Sequence, residues 1–161
     1  TMLKIDINEN KQQAIQKAID TLKNGGLIIY PTETCYGLGG DATDPKALAK
    51  LLSYKKYRGS KPISIAVSDK QMADKYVQLN EMANNLYDNY LPGPLTVISM
   101  SKGILQSPVV SLSGAVGVRI PAYTFTQELI SKYGKPITAT SANVSSEWPN
   151  YQGLSRSLKS N

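Results

Sequence analysis

The chain has 161 residues, 41% of them hydrophobic and 19% charged, which is enough to bury one core without disulfides. A single cysteine, Cys35, leaves no disulfide framework and suits a reducing cytoplasm. The absence of histidine removes Ser-His and Cys-His nucleophile schemes and the common zinc sites, so any chemistry must rest on Lys, Arg, hydroxyls, amides or carboxylates. The net charge of +6 favours an anionic ligand, nucleotide or nucleic acid. No apolar run approaches the roughly 20 residues of a bilayer span, and the expectation is a soluble cytoplasmic protein with no membrane partner.

Apolar Ala14, Ile15, Ala18, Ile19 and Leu22 make a helical stripe over residues 11–24, and Gly25-Gly26 stop it. Leu27 to Tyr30 reads as a short buried strand that Pro31 ends. Polar Thr32, Glu33 and Thr34 follow, then a glycine-rich turn at 37–40, the kind of strand end at which α/β domains bind ligands. No Lys-Ser or Lys-Thr pair comes after it, so this is not a P-loop. Asp44 is an N-cap before Pro45 at the first helical position, and Ala47, Leu48, Leu51 and Leu52 form the buried face. That helix runs into a basic cluster, Lys55, Lys56, Arg58 and Lys61, interleaved with Tyr54 and Tyr57.

Residues 62–67 read as a strand in which Ser64 is the odd polar member. Met82, Ala83, Leu86, Tyr87 and Tyr90 give a further helical stripe, closed by Leu91-Pro92-Gly93-Pro94, and residues 95–100 give the next strand. The polar stretch 101–114 is expected as a surface loop over the site or beside it. A strand at 115–120 carries Arg119 and stops at Pro121. Thr124 and Gln127 have capping-box spacing ahead of Leu129, Ile130 and Tyr133, with Gly134 as the stop. Residues 136–143 form a strand that enters a loop rich in hydroxyls and amides, and beyond it the chain is polar and turn-rich with no convincing element. The alternation predicts one α/β domain over residues 1–161, a twisted mixed sheet of parallel and antiparallel strands flanked by helices.

Four stretches set polar groups at strand ends: Thr32 to Thr34, the basic cluster 55–61, Arg119, and Ser141 to Asn143. Each has a plain alternative. A strand-end threonine caps something, a Lys/Arg run is a solvated face, Arg119 pairs with a nearby carboxylate, and Ser141 and Asn143 form turns.

Taken together, the stretches resemble one family along nearly the whole chain. Pro31-Thr32-Glu33-Thr34-Cys35-Tyr36-Gly37-Leu38-Gly39 resembles the signature of the YrdC-like family, whose best-defined members are threonylcarbamoyl-AMP synthases. In the family's order, Leu91-Pro92-Gly93-Pro94-Leu95-Thr96 resembles its WPGPLT, Val118-Arg119-Ile120-Pro121 its VRxP, and Thr140-Ser141-Ala142-Asn143 its ATSAN. The resemblance implies a YrdC-like fold and a nucleotidyltransferase, L-threonylcarbamoyladenylate synthase, which joins L-threonine, bicarbonate and ATP and releases pyrophosphate. A downstream tRNA threonylcarbamoyl transferase would then use the product to modify the adenosine next to the anticodon. Thr32 would bind the amino acid through its hydroxyl and Arg119 its carboxylate, with Ser64 as a further substrate contact. Lys55, Lys56, Arg58, Ser141 and Asn143 would meet the nucleotide, and of these Lys55, Arg58, Ser141 and Asn143 would act in catalysis. Mg2+ would arrive with ATP; the resemblance implies no permanent cofactor and no metal site of the chain's own.

The chain departs from the family pattern at three points. Ungapped alignment sets Lys55 on the lysine of the family's Lys-x-Arg-Pro motif but Tyr57 on its arginine, so Arg58 is expected to do that work from the next position; the shifted alignment would use Lys56. Tyr123 stands where the family commonly has histidine. Many relatives continue past the Ser-Ala-Asn motif into a segment that closes over the nucleotide, and that C-terminal portion is expected to be absent here. A competing reading is a non-catalytic RNA-binding module whose basic face and tyrosines meet tRNA or double-stranded RNA. A third reading, a carbamoyl-transfer domain like that of hydrogenase-maturation proteins, lacks the long multidomain chain in which those domains sit.

Overall fold

In the computed structural model, which describes residues 2–56 and 61–143, side-chain caps set where four of the helices begin. Asn10 accepts from the Gln13 N–H ahead of α1 (Lys11–Lys23), and Asp44 from the Lys46 N–H ahead of α2 (Pro45–Lys55). Asp69 does the same for α3 (Lys70–Tyr76) and Asn80 for α4 (Glu81–Tyr90). α5 (Thr124–Tyr133) lacks such a cap. Thr124 is already inside the helix, so the expected capping box does not form, and the Gln127 amide instead donates to Pro121 O at 2.6 Å.

Six short strands form one sheet: β1 (Ile28–Tyr30), β2 (Gly37–Gly39), β3 (Ser64–Ala66), β4 (Val97–Met100), β5 (Ala115–Arg119) and β6 (Ile137–Ser141), in the order β1-β2-β6-β3-β5-β4. β3 and β5 are parallel and every other neighbouring pair is antiparallel, the mixed pairing expected from the sequence. Side chains alternate across a strand, so the register assigns the faces. Tyr30 pairs with Gly37, Gly37 with Ser141, Ala139 with Ser64, and Gly117 with Ile98. These positions share one face with Arg119. On the other face Val97, Val116, Val118 and Ile65 are buried in the same cluster as Met72, Ala73 and Tyr87 of α3 and α4. A second cluster joins Ile15 and Ile19 of α1 to Leu129 of α5, with Ile28 against it. Among the described residues no helix is long and apolar enough to cross a membrane.

Several local expectations change. The glycines after the first loop form β2 rather than a turn, because strand pairing on both sides requires extended backbone and the Tyr30 ring fills the space side chains would take. A Cβ on Gly37 would lie 2.5 Å from Tyr30 Cζ, and one on Gly39 2.8 Å from Tyr30 Cε1. α3 carries one turn's worth of buried groups, Met72 and Ala73, too few to show a helical period. Met82 and Tyr90 are exposed, and α4 buries Ala83 and Tyr87. The 101–114 stretch lies away from Arg119: it joins Met100 to Ala115, the end of β5 opposite Arg119, and it buries Leu105 and Val109. The turn-rich segment after residue 143 lies outside the described residues.

Because Gly37 and the Tyr30 ring occupy adjoining space, Gly37→Ala overpacks the sheet. A loss of about 1 to 3 kcal/mol in denaturant-unfolding stability is expected, and an unchanged midpoint would show that the ring can move aside.

Candidate functional site

The open face of the sheet ends in a pocket at the join of β1, β2, β5 and β6, lined among others by Thr32, Cys35, Gly37, Arg119, Ala139 and Ser141. Its first wall is the loop after Pro31, which the Thr32 hydroxyl builds. Thr32 Oγ1 donates to Cys35 O at 2.5 Å and accepts from the Cys35 and Thr34 N–H groups at 3.1 and 3.2 Å. One donor and two acceptor sites are all a hydroxyl has, so the one expected to meet an amino acid also organises its own loop. Thr126 Oγ1 of α5 ties the start of this loop by donating to Pro31 O at 2.6 Å.

The second wall is the end of β5. Arg119 Nη2 donates to Glu33 Oε1 at 2.6 Å, and the other Glu33 oxygen accepts from the Ala122 N–H at 2.8 Å. The plain alternative for Arg119, a carboxylate partner, is therefore realised, and Arg119 at the same time lines the pocket. The Leu91-Pro92-Gly93-Pro94 turn braces this wall from behind, with Gly93 N–H donating to Ile120 O at 2.9 Å. Arg119 also counters the effect of burial on Tyr30. Burial raises the phenol's pKa above the ordinary range, and the guanidinium pulls it the other way.

The third wall is the end of β6. Lys55, in the last turn of α2, is 2% exposed, and its Nζ donates to Ser141 O at 2.9 Å and Asn143 O at 2.5 Å. Lys56 closes α2 at a positive φ of 55° and is exposed. Asn143 is buried, Ser141 half-buried and in the lining. Thus Lys55, Ser141 and Asn143 come together, as do Thr32 and Arg119, while Lys56 stands apart. Ser64 shares the open face, next to the position a Gly117 Cβ would take, but is not in the pocket lining. Arg58 and Tyr57 lie outside the described residues. Sequence reasoning missed Glu33 as a partner of Arg119. The signal was there: an arginine inside an apolar strand calls for a counter-charge, and a carboxylate stands between two of the singled-out threonines. Among the described residues no three His, Cys, Asp or Glu side chains group as a metal site would require.

The comparisons with known proteins fit this arrangement. The family model described as Telomere recombination, covering Sua5, YciO and YrdC, matches residues 20–156. A candidate threonylcarbamoyl-AMP synthase of Methanocaldococcus jannaschii is 37% identical over 146 residues, covering 88% of this chain and 68% of that one. The threonylcarbamoyl-AMP synthase of Vibrio vulnificus is 31% identical over 136 residues, covering 83% of this chain and 73% of that protein. The crystal structure of P. abyssi Sua5 complexed with L-threonine superposes with a TM-score of 0.80 at 29% identity, over 85% of this chain and 41% of that one. The chain therefore spans less than half of the P. abyssi protein.

The Lys55 ammonium holds the Ser141–Asn143 loop through charged hydrogen bonds, each worth about 1.5 to 3 kcal/mol. Lys55→Met is expected to speed hydrogen exchange at the Ala142 and Asn143 amides by roughly tenfold or more. Lys56→Met should leave both amides alone, and equal protection in the two variants would place the anchor elsewhere.

Proposed function

Because this chain belongs to the Sua5/YciO/YrdC family, we propose that it is a threonylcarbamoyl-AMP synthase, a nucleotidyltransferase acting in the cytoplasm. In this reading it combines L-threonine, bicarbonate and ATP, releases pyrophosphate, and hands its product to a downstream tRNA threonylcarbamoyl transferase. The observation that supports the reading is one pocket that gathers Thr32, Arg119 and Ser141, with the buried Lys55 holding the Ser141–Asn143 loop from behind. The likeness to Sua5 complexed with L-threonine supports an amino acid as one ligand.

The chemistry matches a chain without histidine. Threonine's carbamate is already a nucleophile, so the protein has mainly to align it with the ATP α-phosphate and stabilise the charge that develops there. Arg119 receives the threonine carboxylate, and the loop built by Thr32 shapes that side of the pocket. Ser141 and Asn143 meet phosphate or ribose oxygens, held in place by Lys55, while Arg58 adds charge to the nucleotide side. Lys56 and Ser64 are peripheral to this arrangement. Mg2+ travels on the ATP phosphates and supplies charge neutralisation there.

The test is to incubate the protein with ATP, Mg2+, bicarbonate and L-threonine and to detect threonylcarbamoyl-AMP by mass spectrometry, omitting bicarbonate and threonine in turn. Formation should need all three reactants. Lys55→Ala is expected to lower turnover by about a hundredfold or more, whereas Lys56→Ala should change it little. Arg119→Ala should raise the KM for threonine by roughly tenfold to a hundredfold. Salt-sensitive RNA binding with no product would instead point to the non-catalytic module.

A further inference from the structure

Glu33 uses both of its carboxylate oxygens on one short segment at the end of β5, Oε1 on Arg119 Nη2 and Oε2 on the Ala122 N–H. The two side chains of this ion pair are only 20% and 19% exposed. Arg119 Nε is buried and has no hydrogen-bond partner among the described residues. Buried donors are nearly always met in native folds, and this unmet one belongs to a side chain that lines the pocket, so it asks for an acceptor that arrives from outside. A guanidinium is a rigid plane that presents two carboxylate-sized forks, one at its end and one along the Nε–Nη2 side. Of the side fork, Nη2 is held by Glu33 and touched by Thr34 Oγ1 at 3.4 Å, and Nε has no partner among the described residues.

We propose that Glu33 is a positioning residue: it locks the Arg119 guanidinium so that the Nε side receives the carboxylate of the incoming amino acid. This rests on the synthase reading for the identity of that ligand. An arginine side chain that is already held loses less rotational freedom when the ligand binds, which is the benefit of preorganisation. The Ala122 N–H is what makes Glu33 a lock rather than a swinging partner. It fixes the carboxylate to the same turn as the arginine, so the two cannot drift apart. Glutamine has the same shape but a single acceptor oxygen, and its NH2 would face one of the two donors with a third.

The experiment compares wild type, Glu33→Gln, Arg119→Ala and the double variant. Selective 15N NMR of the arginine side chains reads the guanidinium with no ligand present. In wild type the Arg119 Nη signals should be split by slow rotation, and in Glu33→Gln they should merge. Calorimetry should then show L-threonine bound about tenfold more weakly by Glu33→Gln, with ATP affinity unchanged. The substitution should add no further loss in the Arg119→Ala background, as expected of residues that act through one another. If Arg119 stays locked in Glu33→Gln, or if the losses simply add and ATP binding falls with them, Glu33 is only a structural brace and the proposal is overturned. If the NMR shows the lock but wild type binds no threonine, the synthase reading fails and the proposed ligand with it; the NMR result separates that outcome from failure of the lock itself.

Discussion

The pocket depends on one aromatic ring lying across a strand that has no side chains to obstruct it. Tyr30 leaves β1, passes over Gly37 and Gly39 of β2, and donates from its hydroxyl to Thr138 O of β6 at 2.8 Å. The ring is 2% exposed, and its burial keeps the phenol protonated and therefore a donor. A second hydroxyl in the same region works in the other direction: Thr138 Oγ1 accepts from Gly40 N–H and donates to Leu38 O. Three short strands that share few ladder hydrogen bonds are thus pinned by side chains. Three-residue strands have little stability of their own, which is why these side-chain bridges matter here.

From that pinned corner the pocket walls follow by backbone anchoring. The residue after Tyr30 is Pro31, whose carbonyl accepts from Thr126, and Gln127 on the next position of α5 holds Pro121 O. The first turn of α5 therefore grips both the loop that carries Glu33 and the turn that follows Arg119. Behind that turn, Gly93 N–H takes Ile120 O. Asp41, at the exit of β2, gathers the far side: it is buried, and it accepts from Tyr133 Oη at 2.5 Å and from Thr43 N–H at 2.7 Å. Burial first, and Asp41 second, raise the pKa of Tyr133, so this brace also keeps its proton. None of these groups need touch a ligand, yet Thr126, Gln127 and Gly93 each fix a backbone atom of the loop or turn that a wall is built on.

Most of this was legible because it lies where periodicity breaks. Apolar runs that stop at Pro31 and Pro121 mark strand ends, and the polar residues beside them turned out to be neighbours in space. Asp44 followed by Pro45 marked the start of α2 for a local reason that packing does not alter. What stayed hidden was set by tertiary contact. Glycines at 37 and 39 read as a turn from their flexibility, whereas here they provide space for an aromatic ring. Thr124 and Gln127 have the spacing of a local cap, but Gln127 finds a better acceptor in Pro121 O. Met82 has the right spacing for a core position and is exposed, because a ten-residue helix with two buried positions has a narrow apolar face. Lys55 and Lys56 cannot be told apart by composition. The end of the helix separates them: Lys55 is the last residue of α2 and is buried beside the β6 end, whereas Lys56 lies past it at a positive φ and is exposed.

The pairing of Arg119 with Glu33 bears on how a site without histidine can work. A bare guanidinium would attract an anion more strongly than one already facing a carboxylate, so the ion pair sacrifices attraction. Long-range attraction is also what salt screens most readily, and the net positive charge of the chain supplies a share of it without any single residue. Orientation has no such substitute. A reaction that joins a nucleophile to a phosphorus centre in line gains far more from a fixed approach than from a few-fold tighter encounter, and an ångström of misplacement can cost about a hundredfold in rate. Glu33 accepts one hydrogen bond from the Arg119 guanidinium and one from the Ala122 N–H of the same turn, which ties the cation to its own backbone. On the proposed reading, the fixed orientation of the guanidinium is therefore worth more than the attraction its ion pair gives up.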